Sequence, residues 1–137
     1  MQIGVDSGKA VENRRVFVVD PDEIARMAVQ FMLHDENETH AFGDLEAAFA
    51  KAEQWPPELV ILSQSLLDGC KAEEVEKIRS RLSGAKLLLL GDESGEAPGY
   101  MGPAFSGVVR KPLRIEMVRA TVDAALGRPI PYDGTTW

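Results

Sequence analysis

The residues able to do chemistry in this chain fall into a few groups. Asp20-Pro21-Asp22-Glu23 follows an apolar run, and carboxylate oxygens are the donors that hard divalent cations take. The same acids at a strand-to-helix junction cap the helix and face its positive end. One carboxylate beside a serine is a poor Mg²⁺ site, so capping is the expected use and no bound metal is expected. Ser63 and Ser65 could be written with His34 or His40 as a Ser-His-Asp triad. Nothing in the spacing supports it, no nucleophile–base pair is identifiable, and no enzymatic activity or cofactor is expected. Gly91-Asp-Glu-Ser-Gly95 lacks the Lys-Ser or Lys-Thr that a phosphate loop needs. Lys111-Pro112 places an ammonium directly after an apolar run, and Asp68, five positions beyond Ser63 on the loop before the third helix, is the one other carboxylate weighed as a relocated nucleophile. The single cysteine, Cys70, excludes an internal disulfide and a cysteine-based metal site, and reads as a small filler.

The elements that must position these groups follow from periodicity. Arg15–Val19, Leu59–Leu62, Leu87–Leu90 and Gly107–Arg110 are short apolar runs, suited to strands buried on both faces. Asn37–Phe42 is a weaker strand. Between them lie helical patterns. From Asp22, Ile24, Met27, Ala28 and Phe31 recur at i, i+3, i+4 and i+7 and predict an amphipathic helix. Leu45, Ala48, Phe49 and Ala52 form the next buried stripe, entered through Gly43-Asp44 and stopped by Trp55-Pro56-Pro57. Val75, Ile78 and Leu82 mark a third helix ending at Ser83-Gly84. Ile115, Val118, Val122 and Ala125 mark the last, closed by Gly127. Five strands alternating with helices predict an α/β fold, a parallel sheet with helices on both faces. Gly95, Pro98, Gly99, Gly102 and Pro103 interrupt that rhythm, and the fourth helix is expected to be degraded or missing. Residues 1–13 read as a flexible leader, 14–127 as one domain, and 128–137 as a flexible tail or linker.

A chain of 137 residues fits one domain. Its net charge of −7 argues against a nucleic-acid partner, which needs clustered Lys and Arg. No apolar run approaches the roughly 20 residues of a bilayer crossing, and the first residues lack a signal-peptide pattern, so a cytoplasmic location without membrane contact is expected.

Read together, Pro57-Glu-Leu-Val-Ile-Leu-Ser63, Asp68-Gly69 and Val108-Val-Arg-Lys111-Pro112 resemble the receiver (CheY-like) domains of two-component response regulators, over roughly residues 14–127. The resemblance implies a flavodoxin-like sheet of strand order 2-1-3-4-5. It also implies an aspartate acceptor at the end of the third strand, an acidic pair after the first that holds Mg²⁺, a Ser or Thr after the fourth, and a Lys-Pro after the fifth, whose bond is cis. Lys111-Pro112 matches. Ser63 stands at the acceptor position and cannot form an acyl phosphate. Pro21 replaces half the acidic pair and leaves Asp20. Gly91 replaces the hydroxyl residue, and Val108 the aromatic that swings inward on activation. The resemblance is to a degenerate form, a pseudo-receiver.

The expected function is a phosphorylation-independent protein-interaction or regulatory module in two-component-type signal transduction. Its partners would be proteins, such as a histidine kinase or an attached output domain. The alternative is a small-molecule or anion sensor holding its ligand on Lys111 and Ser63, with room left by Gly91. The vestigial site is expected at Asp20, Pro21, Ser63, Gly91, Lys111 and Pro112, locked by an Asp20–Lys111 ion pair between neighbouring strand ends. Tyr100, Met101 and Phe105 are candidates for an interaction surface, and equally for plugs of the core where the helix is missing.

Overall fold

Alternation along the first strand assigns its residues to two layers. In β1 (Arg14–Val19), Val16 and Val18 face one side of the sheet and Phe17 and Val19 the other, and all four are fully buried. A computed structural model describes residues 14–91 and 104–128. In chain order β1 is followed by α1 (Glu23–Leu33), β2 (Asn37–Phe42), α2 (Leu45–Gln54), β3 (Leu59–Ser63), a 3₁₀ turn (Gln64–Leu67), α3 (Ala72–Arg81), β4 (Lys86–Gly91), β5 (Phe105–Arg110) and α4 (Ile115–Leu126). The strands form one parallel sheet in the order β2-β1-β3-β4-β5.

Both faces of the sheet are covered. Phe17, Leu62, Leu87 and Leu89 pack with Phe49 of α2 and Val75 of α3. Val18, Ile61 and Leu88 pack on the opposite side with Val29 of α1 and Val118 and Val122 of α4. Each such side chain contributes roughly 1.5–3 kcal/mol by leaving water. The helix ends are closed locally. Asp22 caps α1, Asp44 caps α2 through the Ala47 amide at 2.8 Å, and Gly127, at φ 78°, ends α4 in the left-handed conformation.

The apolar stripe expected on α1 is turned outward. Ala25, Val29 and Leu33 are buried, whereas Ile24, Met27 and Phe31 are 81%, 55% and 69% exposed. The helix is apolar on two sides, and the inward side is the one whose small and β-branched residues allow a close approach to the sheet. Met27 and Phe31 in those places would hold the helix off the strands. Phe105 belongs to the core as well. It is 9% exposed and packs in the layer of Phe17 and Leu87, so it plugs the interior and is withdrawn as an interaction-surface residue. Tyr100, Met101, the interval of the fourth helix, the leader 1–13 and residues 129–137 lie outside the described residues. No helix among the described residues is long and apolar enough to cross a membrane.

Candidate functional site

In a parallel sheet the chain turns from strand to helix at the strands' carboxyl ends, and side chains from several turns meet there. Here Asp20, Pro21, Asp22, Ser63, Gln64, Ser65, Asp68 and Lys111 line a cavity of about 310 Å³. Four of the six expected site residues, Asp20, Pro21, Ser63 and Lys111, are thus brought together.

Asp20 follows β1 and is 2% exposed. Its Oδ1 accepts the Asp22 amide at 2.9 Å, while Oδ2 is buried without a hydrogen-bond partner. Asp22 is committed to α1, accepting the amides of Ile24 at 3.0 Å and Ala25 at 3.3 Å. The acidic run therefore divides as capping requires, with one carboxylate organising the turn and the next starting the helix. Ser63 closes β3 and is buried. Its Oγ accepts the Ser65 amide at 3.3 Å and lies 2.9 Å from the Ser65 Oγ, so the hydroxyl serves the 3₁₀ turn that follows.

Gly91 and Pro112 are not on this cavity. A Cβ on Gly91 would sit 3.2 Å from the Gln64 side-chain oxygen and 3.7 Å from Val108, so the room expected there is already occupied. Pro112 lines a separate groove between β5 and α4, and the Lys111-Pro112 bond is cis.

The expected Asp20–Lys111 ion pair is absent. No ion pair joins Lys111 to a carboxylate among the described residues, and Asp20 Oδ2 stays without a partner. The topology explains this. β1 and β5 are not neighbours but are separated by β3 and β4, and three inter-strand spacings amount to roughly 14 Å. Both residues nevertheless line the same cavity.

Asp22, Gln64 and Ser65 are wall residues not expected at the site, and Asp68, expected there only as a relocated nucleophile, lines the wall with them. Asp68 is the notable one. It ends the 3₁₀ turn and is exposed at the rim. With it the cavity carries three carboxylates against one ammonium. That balance works against an anionic ligand, which would need the reverse. A divalent metal fits poorly too. Pro21 and Ser63 offer no carboxylate, and no group of three His, Cys, Asp or Glu among the described residues could hold an ion. Nearby, burial first and the Glu74 and Asp68 charges next push the Cys70 thiol above its ordinary value, as befits a filler rather than a nucleophile.

No family model matches the sequence, and neither does any curated protein. Solved structures do match in fold. A two-component response regulator from Clostridium difficile superposes with a TM-score of 0.70 at 20% identity, covering 85% of this chain and 98% of that one. The chemotaxis response regulator CheY4 of Vibrio cholerae gives 0.66 at 21% identity, over 83% and 99%. The signal receiver domain of the response regulator NarL from Mycobacterium tuberculosis gives 0.65 at 23%, over 85% and 99%. The chain therefore has the fold of response-regulator receiver domains.

Proposed function

We propose that the chain is a pseudo-receiver, a regulatory protein-interaction module in two-component-type signalling that works without aspartyl phosphorylation and catalyses no reaction of its own. The observation that carries this reading is Ser63. It stands at the carboxyl end of the central strand β3, where the resemblance implies an acceptor aspartate, and its hydroxyl is engaged by Ser65. An acyl phosphate requires a carboxylate nucleophile and a cation to offset the phosphoryl charge. Pro21 removes a metal ligand, and Gln64 fills the space over Gly91 where a hydroxyl would hold the transferred group.

Signalling without a phosphoryl group leaves recognition to the surface, and the partners are proteins, a histidine kinase or an output domain among them. The sensor alternative draws no support from the cavity, whose carboxylates outnumber its ammonium. The test is incubation with acetyl phosphate and Mg²⁺, followed by intact-mass spectrometry at neutral pH. The expected result is no phosphoryl adduct. An acid-stable but base-labile adduct mapped to Asp68, the exposed carboxylate on the rim, would overturn the reading and make Asp68 a relocated acceptor.

A further inference from the structure

Two buried side-chain oxygens among the described residues have no hydrogen-bond partner, and one is Asp20 Oδ2. Asp20 is 2% exposed and lines the cavity at the strand ends. Its Oδ1 is taken by the Asp22 amide at 2.9 Å, which leaves Oδ2 as the open half of the carboxylate. A buried ionised oxygen is costly without a donor, and buried polar groups are as a rule hydrogen-bonded. The cations near this turn do not supply one. Lys111 lines the cavity but makes no ion pair among the described residues. Arg26 donates instead to the backbone carbonyls of Asp20 and Pro21, at 3.2 and 3.4 Å.

We propose that this cavity binds an organic cation, and that the group it takes is a guanidinium. Charge selects a cation, because Asp20, Asp22 and Asp68 stand in the wall against the single ammonium of Lys111. Size and spacing select against a metal ion. At about 310 Å³ the cavity has room for about ten waters at roughly 30 Å³ each, far more than a bare ion fills. Mg²⁺ and Ca²⁺ need oxygens that close to about 2.0–2.6 Å, and no such group of three acids exists among the described residues. A guanidinium needs no such convergence. It is planar, carries five N–H donors in a fixed fork, and sheds water more readily than an ammonium does.

The sheet supplies a footing for one edge of that fork. Val19 pairs with Leu62, so Asp20 and Ser63 follow in step on neighbouring strands, roughly 4.8 Å apart. Both are buried. With the Ser63 O–H donated to Ser65 Oγ at 2.9 Å and the Ser65 amide on one lone pair, the second lone pair of Ser63 Oγ is open. One N–H of the guanidinium then donates to Asp20 Oδ2 and another to Ser63, while the far edge points to Asp68, exposed at the rim. An arginine side chain of a protein partner and a free guanidine-bearing small molecule present the same group. The site requires neither a phosphoryl group nor a metal, so it stands or fails apart from the pseudo-receiver reading.

The test is an amide NMR titration of the isotopically labelled full chain with methylguanidinium chloride, up to about 50 mM at constant ionic strength, a range suited to millimolar binding. Saturable shifts are expected at Asp20, Ser63, Asp68 and Lys111, with weaker binding of methylammonium and none of inorganic phosphate. Asp20→Asn puts an N–H donor where the open oxygen was and abolishes saturation, with circular dichroism checking that the fold is kept. Asp68→Asn weakens binding about two- to fivefold and Lys111→Met strengthens it by a similar factor, the range of exposed charge pairs. The same titration with the peptide acetyl-Gly-Arg-Gly-amide separates the two sources. Tighter binding than methylguanidinium assigns the group to a partner's side chain, and weaker binding assigns it to a free small molecule. Absence of saturation, equal or tighter binding of methylammonium, saturation by phosphate, shifts on another face, or an affinity that any of the three variants leaves unmoved would each overturn the proposal.

Discussion

Replacing Asp20 by asparagine should make the protein more stable. Asp20 is 2% exposed, and one of its carboxylate oxygens finds no donor. A buried polar atom left unsatisfied costs about 1–3 kcal/mol, and more when it belongs to a charged group. Asparagine keeps the oxygen that accepts the Asp22 amide at 2.9 Å, so the entry to α1 survives. What changes is the charge: the amide nitrogen inherits the unpaired position, and an unpaired neutral group costs less to bury than an unpaired ionised one. The expected gain is about 1–2 kcal/mol, or a rise of about 4–8 °C in the unfolding midpoint for a domain of this size. Urea unfolding followed by far-ultraviolet circular dichroism, with and without Mg²⁺, measures it. Asp20→Ala should not share the gain, because it removes the acceptor as well. A loss of 1 kcal/mol or more in Asp20→Asn would refute the reasoning, for it would mean that the carboxylate has a partner in solution.

Other consequences can be checked on the same instruments. In a double-mutant cycle, Asp20→Asn and Lys111→Met should couple by less than about 0.5 kcal/mol, and coupling well above that would restore the ion pair. Phe105→Ala should cost about 3–5 kcal/mol and Phe31→Ala less than about 0.5, in keeping with one in the core and the other exposed; similar costs would contradict the assignment of faces. The Arg15 guanidinium, 2.7 Å away, and then His40 hold the Glu38 carboxyl below its ordinary value. A depressed folded-state pKa gives stability that is complete above the unfolded-state value of about 4.3 and is lost as pH falls through the folded one. Glu38→Gln should therefore be less stable than wild type at pH 7, with the gap closing in the acid range. An equal gap at both ends would remove the ion pair from the account.

The strands were legible because burial on both faces leaves an unbroken apolar signature, as in Val16–Val19 and Leu87–Leu90. Turn chemistry was legible too, since Asp22, Asp44 and Gly127 act where local physics puts them. The phase of α1 was not. With apolar residues on both sides, its sequence is compatible with either orientation, and the choice belongs to the sheet and to α4 packed beside it. The Asp20–Lys111 pair was expected between neighbouring strand ends although the strand order implied by the resemblance, which the sheet adopts, already keeps β1 and β5 apart. Asp68 and Gln64 entered the cavity because a 3₁₀ turn folds the residues after Ser63 back over the strand ends. A serine followed by a turn does not announce that path.

The most direct test of the central claim is an amide NMR titration with Mg²⁺ and beryllofluoride, which mimics a phosphorylated aspartate. The account predicts no saturable shift around Asp20, Ser63 and Lys111. Saturable shifts there, extending along β5, would show that a working acidic site survives and that Ser63 does not mark the loss of the trigger.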